Sequence, residues 1–381
     1  MNKMNPKEIL EYFQLRNPVI VESIREIVEI ESPSYDAVRS IAVVDWIENE
    51  ARKTGVDLSI ERIPADGFGD HLIVRAFAAD AKPVLLLGHT DTVHPVGTKE
   101  QNPTRIEGDK FYGCGIFDMK ANIVVMLEAL RYFAEMDTRP ARPITIFLSC
   151  DEEVGSYTGR PLLEIEAAKA EMCYVFEPSA AGRVKTGRKG TGMYTVKARG
   201  IPAHAGLEPE KGANAILEIA RQIERLQALN NLSVGTTVNV CTARGGTTTN
   251  VIPEHAEFTI DVRFSSMDEA ARIDTEIKSL KSFDERVTLE ITGDINRPPM
   301  ERTDAVVALY EKARESAASF DYDLGETQVG GASDGNFVAA LGIPVLDGLG
   351  ITGDGAHTLH EHILVSDIAK RATLVTLLFQ N

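Results

Sequence analysis

Residues 144–153 read ITIFLSCDEE. Ile144 through Leu148 are apolar or β-branched without polar alternation, the pattern of a strand buried on both faces. The segment then runs directly into Asp151, Glu152 and Glu153. Three acids in that position repel one another and lose hydration unless a cation or a proton compensates. Ligands of open α/β sheets sit at the carboxyl ends of strands. Neighbouring side chains on an extended segment face opposite sides, so one acid is placed to bind a metal while the next faces a substrate. An acidic turn with solvated carboxylates is the competing reading of the triplet.

The flanking sequence alternates strand and helix patterns. Residues 6–30 have helical apolar spacing, interrupted around Pro18, and a second helix runs through Ala37, Ile41, Val44 and Ile47 to stop near Gly55. Strands are expected at 58–63, 71–77, 84–89 and 172–176, with helices after Asp118 and around 162–170. This alternation predicts an α/β domain with a mainly parallel sheet covered by helices on both faces. From about residue 187 the strands gain polar alternation. The order becomes β-α-β-β-α-β, that of a ferredoxin-like two-layer domain. Helical texture returns after Arg297-Pro298-Pro299, followed by buried strand candidates at 327–330 and 344–346. The expected organisation is therefore one domain of 1–186 and 297–381 with a second domain of 187–296 inserted into it.

A chain of 381 residues is long enough for two domains. Its formal charge of −17 disfavours nucleic acid and anionic membrane as partners. Cys114, Cys150, Cys173 and Cys241 have no paired metal spacing and do not make a disulfide scaffold, which points to a reducing compartment. The opening MNKMNPKEILEYF lacks the apolar core of a signal peptide, and no apolar run reaches spanning length. The expectation is a cytoplasmic protein.

Chemistry-bearing residues gather where apolar strands end: His89 and Asp91, the triplet 151–153, and Glu177. Asp118 follows a glycine-rich loop, and His357 lies in a second one. If the strands are parallel, their carboxyl ends share one edge and these groups converge. Imidazoles with carboxylates suit zinc, manganese or cobalt. The surplus of carboxylates over one tetrahedral site suggests two ions about 3.5–4 Å apart sharing a bridge. Singly, each residue has a plainer reading: His89 as a core histidine, Asp118 as a helix N-cap, Glu177 as a strand terminator, and His357, His360 and His362 as a solvated cluster.

Taken together, GHTDTV (88–93), GCGIFDMK (113–120), DEEVGS (151–156), EPS (177–179), PAHAG (202–206), GGTTTNVIP (245–253), GGASDG (330–335) and GAHTLHE (355–361) resemble the two-zinc exopeptidase and deacylase family. Glutamate carboxypeptidase (carboxypeptidase G), aminoacylase, acetylornithine deacetylase and succinyl-diaminopimelate desuccinylase belong to it. The resemblance implies that 1–186 and 297–381 form a catalytic, metal-binding domain and 187–296 an inserted lid and dimerisation domain, with two Zn²⁺ per subunit and Co²⁺ or Mn²⁺ as substitutes. His89 and Glu177 would hold one ion, Glu153 and His357 the other, and Asp118 would bridge them. Asp91 would orient His89, and Glu152 would be the general base acting on a metal-bridging water. His204 would stabilise the oxyanion in the partner subunit's active site of a homodimer. Asn250 would contact substrate from the lid, Arg297 would clamp a free carboxylate, and Ser333 with Asp334 would line or support the site. Where relatives often carry Gly-Gly after the lysine, this chain has Ala121-Asn122, a departure that bears on loop packing and not on ligation.

The function so implied is dizinc hydrolysis of an amide bond, releasing a C-terminal acidic, glutamate-like amino acid from a peptide or N-acyl conjugate. The alternative within the same chemistry is an N-acyl-amino-acid deacylase of the acetylornithine or succinyl-diaminopimelate type. A dimetal phosphoesterase lacks support, there being no phosphate-cradling glycine loop. A catalytically silent metal-binding scaffold would have no use for Glu152.

Overall fold

The computed structural model describes residues 5–380. The reading of the first four residues and the last position of the 297–381 segment fall outside that range. Two helices, α1 (Pro6–Glu29) and α2 (Ala37–Arg52), precede strands β1 (Leu58–Ala65) and β2 (Gly69–Ala76). Then β3 (Val84–His89), α3 (Ala121–Glu135), β4 (Ile144–Ser149), α4 (Gly159–Ala167) and β5 (Met172–Val175) alternate. The next stretch carries β6 (Gly190–Arg199), α5 (Ala215–Gln227), β7 (Thr237–Gly245), β8 (His255–Phe264), α6 (Met267–Lys278) and β9 (Thr288–Arg297). Last come α7 (Asp304–Ala318), β10 (Val345–Leu346) and α8 (Val365–Gln380). The chain divides into two compact units. One runs to Gly187 and resumes in Arg302–Gln328 and from Ser333 onward; the other is Arg188–Glu301 with Val329–Ala332.

The first unit is built on a six-stranded sheet of order β1-β2-β4-β3-β5-β10. Strands β4, β3, β5 and β10 run parallel, whereas β2 runs antiparallel to both its neighbours, β1 and β4. The sheet is thus mixed. Only three residues separate β1 from β2, which allows a hairpin but no parallel crossover. Every residue of β3 and β4 is buried, as expected of strands covered on both faces. Register then decides what the sheet edge presents. His89 pairs with Ser149 and Leu87 with Val175, so β3, β4 and β5 end side by side. Each runs out into the polar residues noted above.

Two details depart from expectation. Helix α1 is continuous through Pro18, because Phe13, Ile20, Ile24 and Ile27 on its inner face are fully buried and offset the missing backbone hydrogen bond. The strand expected at 327–330 spans Glu326–Val329, is only partly buried, and pairs with Val184–Arg188 instead of joining the main sheet.

The second unit has its own core around Val196, Phe258, Ile260 and Ile277. Its sheet is antiparallel, of order β7-β8-β6-β9, with strict in–out alternation along most of β8. That order with α5 and α6 is the ferredoxin-like arrangement. Among the described residues no helix is long and apolar enough to cross a membrane, and all four cysteines are free thiols.

Replacing Pro18 by Ala restores an N–H to the middle of α1. We expect a net stabilisation of about 1–2 kcal/mol, since the helix-interior cost of proline exceeds its stiffening of the unfolded chain. Urea unfolding reads this directly; an unchanged or lowered midpoint would show that α1 had already absorbed the proline.

Candidate metal centre

The edge formed by β3, β4 and β5 gathers its acids and imidazoles into one cluster within the first unit. His89, the last residue of β3, is 1% exposed; its Nε2 lies 3.1 Å from Asp118 Oδ1 and 3.5 Å from Glu177 Oε1. The other oxygen of the same aspartate, Oδ2, lies 3.3 Å from His357 Nε2, which is also 3.2 Å from Glu153 Oε2. Asp118 therefore presents one oxygen to each of two imidazoles. One ligand atom each from His89, Asp118 and Glu153 lie within 4.8 Å of one another, as do those of His89, Glu152 and Glu177.

Local sequence explains why these groups meet. Asp118 sits in a tight turn, Ile116–Lys120, that packs against β3. A Cβ at Gly88 would meet Met119 Sδ at 3.0 Å, so the glycine leaves room for the Met119 side chain of that turn to lie against the strand. Gly115, at φ +69°, begins the turn, and a side chain there would strike Thr92. Asp118 has non-helical dihedrals and caps nothing. His357 is held at φ +65°, a conformation costing a non-glycine residue about 1–3 kcal/mol, of the kind that clusters at functional sites.

The acidic triplet is not extended. Glu152–Val154 form a 3₁₀ turn, and the three carboxylates separate. Asp151 is fully buried and turns inward, accepting from the Thr158 amide and hydroxyl, both at 2.7 Å. Glu153 faces the imidazoles, and Glu152 lies beside His89 and Glu177. Asp91 has more partners than the orienting of His89 requires. Its Oδ1 and Oδ2 accept from the Glu152 and Glu153 amides at 3.2 and 3.1 Å, and Ser34 Oγ donates to Oδ2 at 2.7 Å. His89 Nδ1 is closer to the Asp91 main-chain oxygen, at 3.0 Å, than to its carboxylate, at 3.4 Å. Asp91 thus braces the Glu152–Glu153 turn as well as the imidazole.

Electrostatics identify what the cluster lacks. Burial disfavours a charged Asp118, yet hydrogen bonds from His357 and His89 outweigh it and hold the carboxyl far below the usual range. Burial likewise opposes protonation of His89, but Asp118 and Asp91 draw its pKa well up. Hydrogen bonds to Asp118 and Glu153 push His357 up to about 10. Burial raises Glu153, whose Oε1 has no hydrogen-bond partner. A buried, unpartnered carboxylate oxygen beside imidazoles drawn toward the charged form is a donor set short of positive charge, which divalent cations satisfy.

Ser333 is fully buried, its Oγ donating to Asp347 at 2.8 Å and accepting from the Gly335 amide at 3.2 Å; it reaches no exposed surface. Asp334 accepts from Ser149 and Ser156 under the end of β4. Of the neighbouring histidines, His360 Nδ1 meets Thr358 Oγ1 and His362 Nδ1 meets the His360 carbonyl oxygen, leaving His357 as the one that joins the cluster. Asn122, the departure after Lys120, is fully buried. It donates to the Phe176 and Phe117 carbonyls and accepts from the Ile351 amide, lacing together the segments that carry Glu177 and Asp118.

The remaining candidates lie in the second unit. A two-residue pairing sets His204 opposite Val251, and the Ala205 amide donates to the Asn250 carbonyl at 2.9 Å, so His204 and Asn250 are neighbours. His204 Nδ1 accepts from the Gly206 and Leu207 amides, both at 3.1 Å, which places the proton of the neutral ring on Nε2. Arg297 ends β9, 9% exposed.

The sequence reading gave three supporting residues no role. Ser34 fastens Asp91, and His94 and Glu361 form a buried pair at 2.7 Å behind the Asp118 turn. His94 five positions after His89 was a visible signal, whereas Ser34 carried none.

Comparison with known proteins adds lineage to this geometry. The chain is 29% identical to carboxypeptidase G2 of Pseudomonas sp. (strain RS-16) over 93% of its own length and 87% of the relative's. It is 30% identical to succinyl-diaminopimelate desuccinylase of Cupriavidus taiwanensis over 75% and 78% of the two lengths. In fold it is similar to aminopeptidase PepT from Bacillus cereus, with TM-score 0.78, 24% identity and coverage of 96% and 98%. The model of peptidase family M20/M25/M40 matches residues 85–381, which span the whole cluster, and the chain is an enzyme belonging to that hydrolase family.

Proposed function

We propose that the protein is a two-metal amidohydrolase that releases a C-terminal acidic amino acid, glutamate foremost, from a peptide or N-acyl conjugate. The observation that carries this is Asp118, whose two oxygens each face one imidazole at 3.1 and 3.3 Å, the arrangement of a carboxylate shared between two cations. In this reading His89 and Glu177 hold one ion, Glu153 and His357 the other, with zinc as first choice and cobalt or manganese as substitutes. Bound there, the cations supply Lewis acidity, making water a better nucleophile at neutral pH and drawing electron density from an amide carbonyl.

The chain's own residues do the rest. Glu152 is held by its amide on Asp91 Oδ1 and lies beside His89 and Glu177, where its carboxylate takes a proton from the attacking water and passes it to the leaving nitrogen. His204, with its proton on Nε2, suits donation to a developing oxyanion. We assign that task to His204 of one subunit serving the other subunit's site in a homodimer. Asn250 lies next to it and would contact the same substrate. Arg297 would pair with the substrate's free carboxylate, to which a planar guanidinium binds in a fork. Ser333 supports the site through Asp347 instead of touching substrate. The free thiols fit a cytoplasmic setting.

The similarity to carboxypeptidase G2 over nearly the full length favours the carboxypeptidase reading. The desuccinylase relatives keep one alternative, deacylation of N-succinyl or N-acetyl amino acids. Side-by-side assay of N-acetyl, N-succinyl and C-terminal-glutamate substrates decides: the reading requires the last class to be turned over with the highest kcat/KM.

Dialysis against a chelator should abolish turnover, and zinc or cobalt should restore it; activity indifferent to chelation would remove the metals from the reaction. Glu152→Gln should lower kcat by about 10²–10⁴-fold with bound metal unchanged, as measured by elemental analysis. Arg297→Ala should raise KM for glutamate-terminated substrates about tenfold or more, the loss expected for a charge-assisted pair, while a substrate lacking the terminal carboxylate is affected less. Equal losses on both substrates would contradict the clamp.

A further inference from the structure

Behind the Asp118 turn lies a carboxylate that no part of the proposed reaction uses. Glu361 is fully buried. Its Oε1 accepts from the Phe117 and Asp118 amides at 2.9 and 3.0 Å, and its Oε2 from the Gly115 amide at 2.8 Å and His94 Nε2 at 2.7 Å. Its main-chain oxygen accepts from the Gly113 amide at 3.3 Å. The four side-chain donors match the roughly four acceptor sites of an ionised carboxylate. His94 is itself buried, 7% exposed, so its bond to Glu361 is shielded from water.

The need for this arrangement lies in the turn. Asp118 and Met119 depart from helical dihedrals, so the amides of residues 115, 117 and 118 are not all satisfied by a regular helical ladder. Left unpaired in a buried place they would let the turn relax, and Asp118 with it. Glu361 collects all three on one rigid anion. It also follows His357 by four residues, so the same side chain ties the loop bearing one imidazole to the turn bearing the shared carboxylate.

We propose that Glu361, anchored by His94, is a positioning residue that sets where Asp118 presents its two oxygens to the cations. The proposal rests on the reading of Asp118 as a shared ligand. It makes Glu361 act through the protein backbone, never through contact with metal or substrate. Glutamine at 361 keeps the shape but offers one acceptor oxygen in place of two and turns an NH₂ toward N–H donors.

The test is a cation titration of the metal-depleted full chain against a competing chelator, with zinc and with cobalt, and the visible spectrum of the cobalt form. Glu361→Gln should weaken at least one of the two cation affinities about 10–100-fold and alter the cobalt bands, the effect usual for outer partners of metal ligands. His94→Leu should shift the same affinity in the same direction, and His94→Gln, which still donates, should recover most of it. Glu128→Gln is the control, since Glu128 is a buried carboxylate elsewhere that pairs with Arg16 and Arg131. It should lower the melting temperature and leave cation affinity unchanged.

Folded Glu361→Gln protein with wild-type affinities and cobalt spectrum overturns the proposal. If that variant does not fold, wild-type affinity in His94→Leu overturns it instead. Failure of the proposed function reads differently: a wild-type protein inert toward every amide substrate would still report, in the titration, whether Glu361 governs cation binding.

Discussion

One carboxylate facing two imidazoles is the constraint on which the rest of the first unit turns. Asp118 must bring both oxygens into a pocket where burial disfavours its charge, and its neighbours must make that charge tolerable. The protein does so in two layers. His89 and His357 meet the carboxylate directly, and the turn that carries it is clamped from behind by the buried Glu361–His94 pair. The outer layer takes up amides of a turn that is not part of a regular helix.

The parallel register makes this possible. Segments far apart in sequence become neighbours because β3, β4 and β5 lie side by side in parallel register: His89 is the last paired residue of β3, and the acidic triplet and Glu177 follow the ends of β4 and β5. Close packing completes the approach. Gly88 leaves room for Met119 of the Asp118 turn against β3, and buried Asn122 laces that turn to the segment before Glu177. The acidic triplet illustrates how a single turn assigns separate tasks. Asp151 is consumed inside the fold by Thr158, Glu153 faces the imidazoles, and Glu152 stays beside the cluster with its backbone held by Asp91.

In the second unit a comparable economy governs His204. Two backbone amides donate to Nδ1, so the neutral ring can only donate from Nε2. That choice is made by the loop 204–207 and does not depend on any other part of the chain.

The amino-acid sequence by itself determined the alternation of helices and strands, the change of texture near residue 187, and the residue types at the strand ends. Each of these follows from local periodicity and composition. Of the residues that the family resemblance singled out, the fold brings His89, Glu152, Glu153, Glu177 and His357 together around Asp118, while His204, Asn250 and Arg297 lie in the second unit. Tertiary structure alone decided that β2 lies antiparallel beside β4, the continuity of α1 through Pro18, and the divergence of Asp151 from its two neighbours. It also decided that Ser333 is buried, and that Ser34, His94 and Glu361 stand behind the cluster. The physical reason is common to these cases. Each depends on which groups offer a hydrogen bond or an apolar surface, and such partners, from Thr158 close after Asp151 to Glu361 far beyond His94, are set by turn geometry, register and packing, about which local periodicity holds no information.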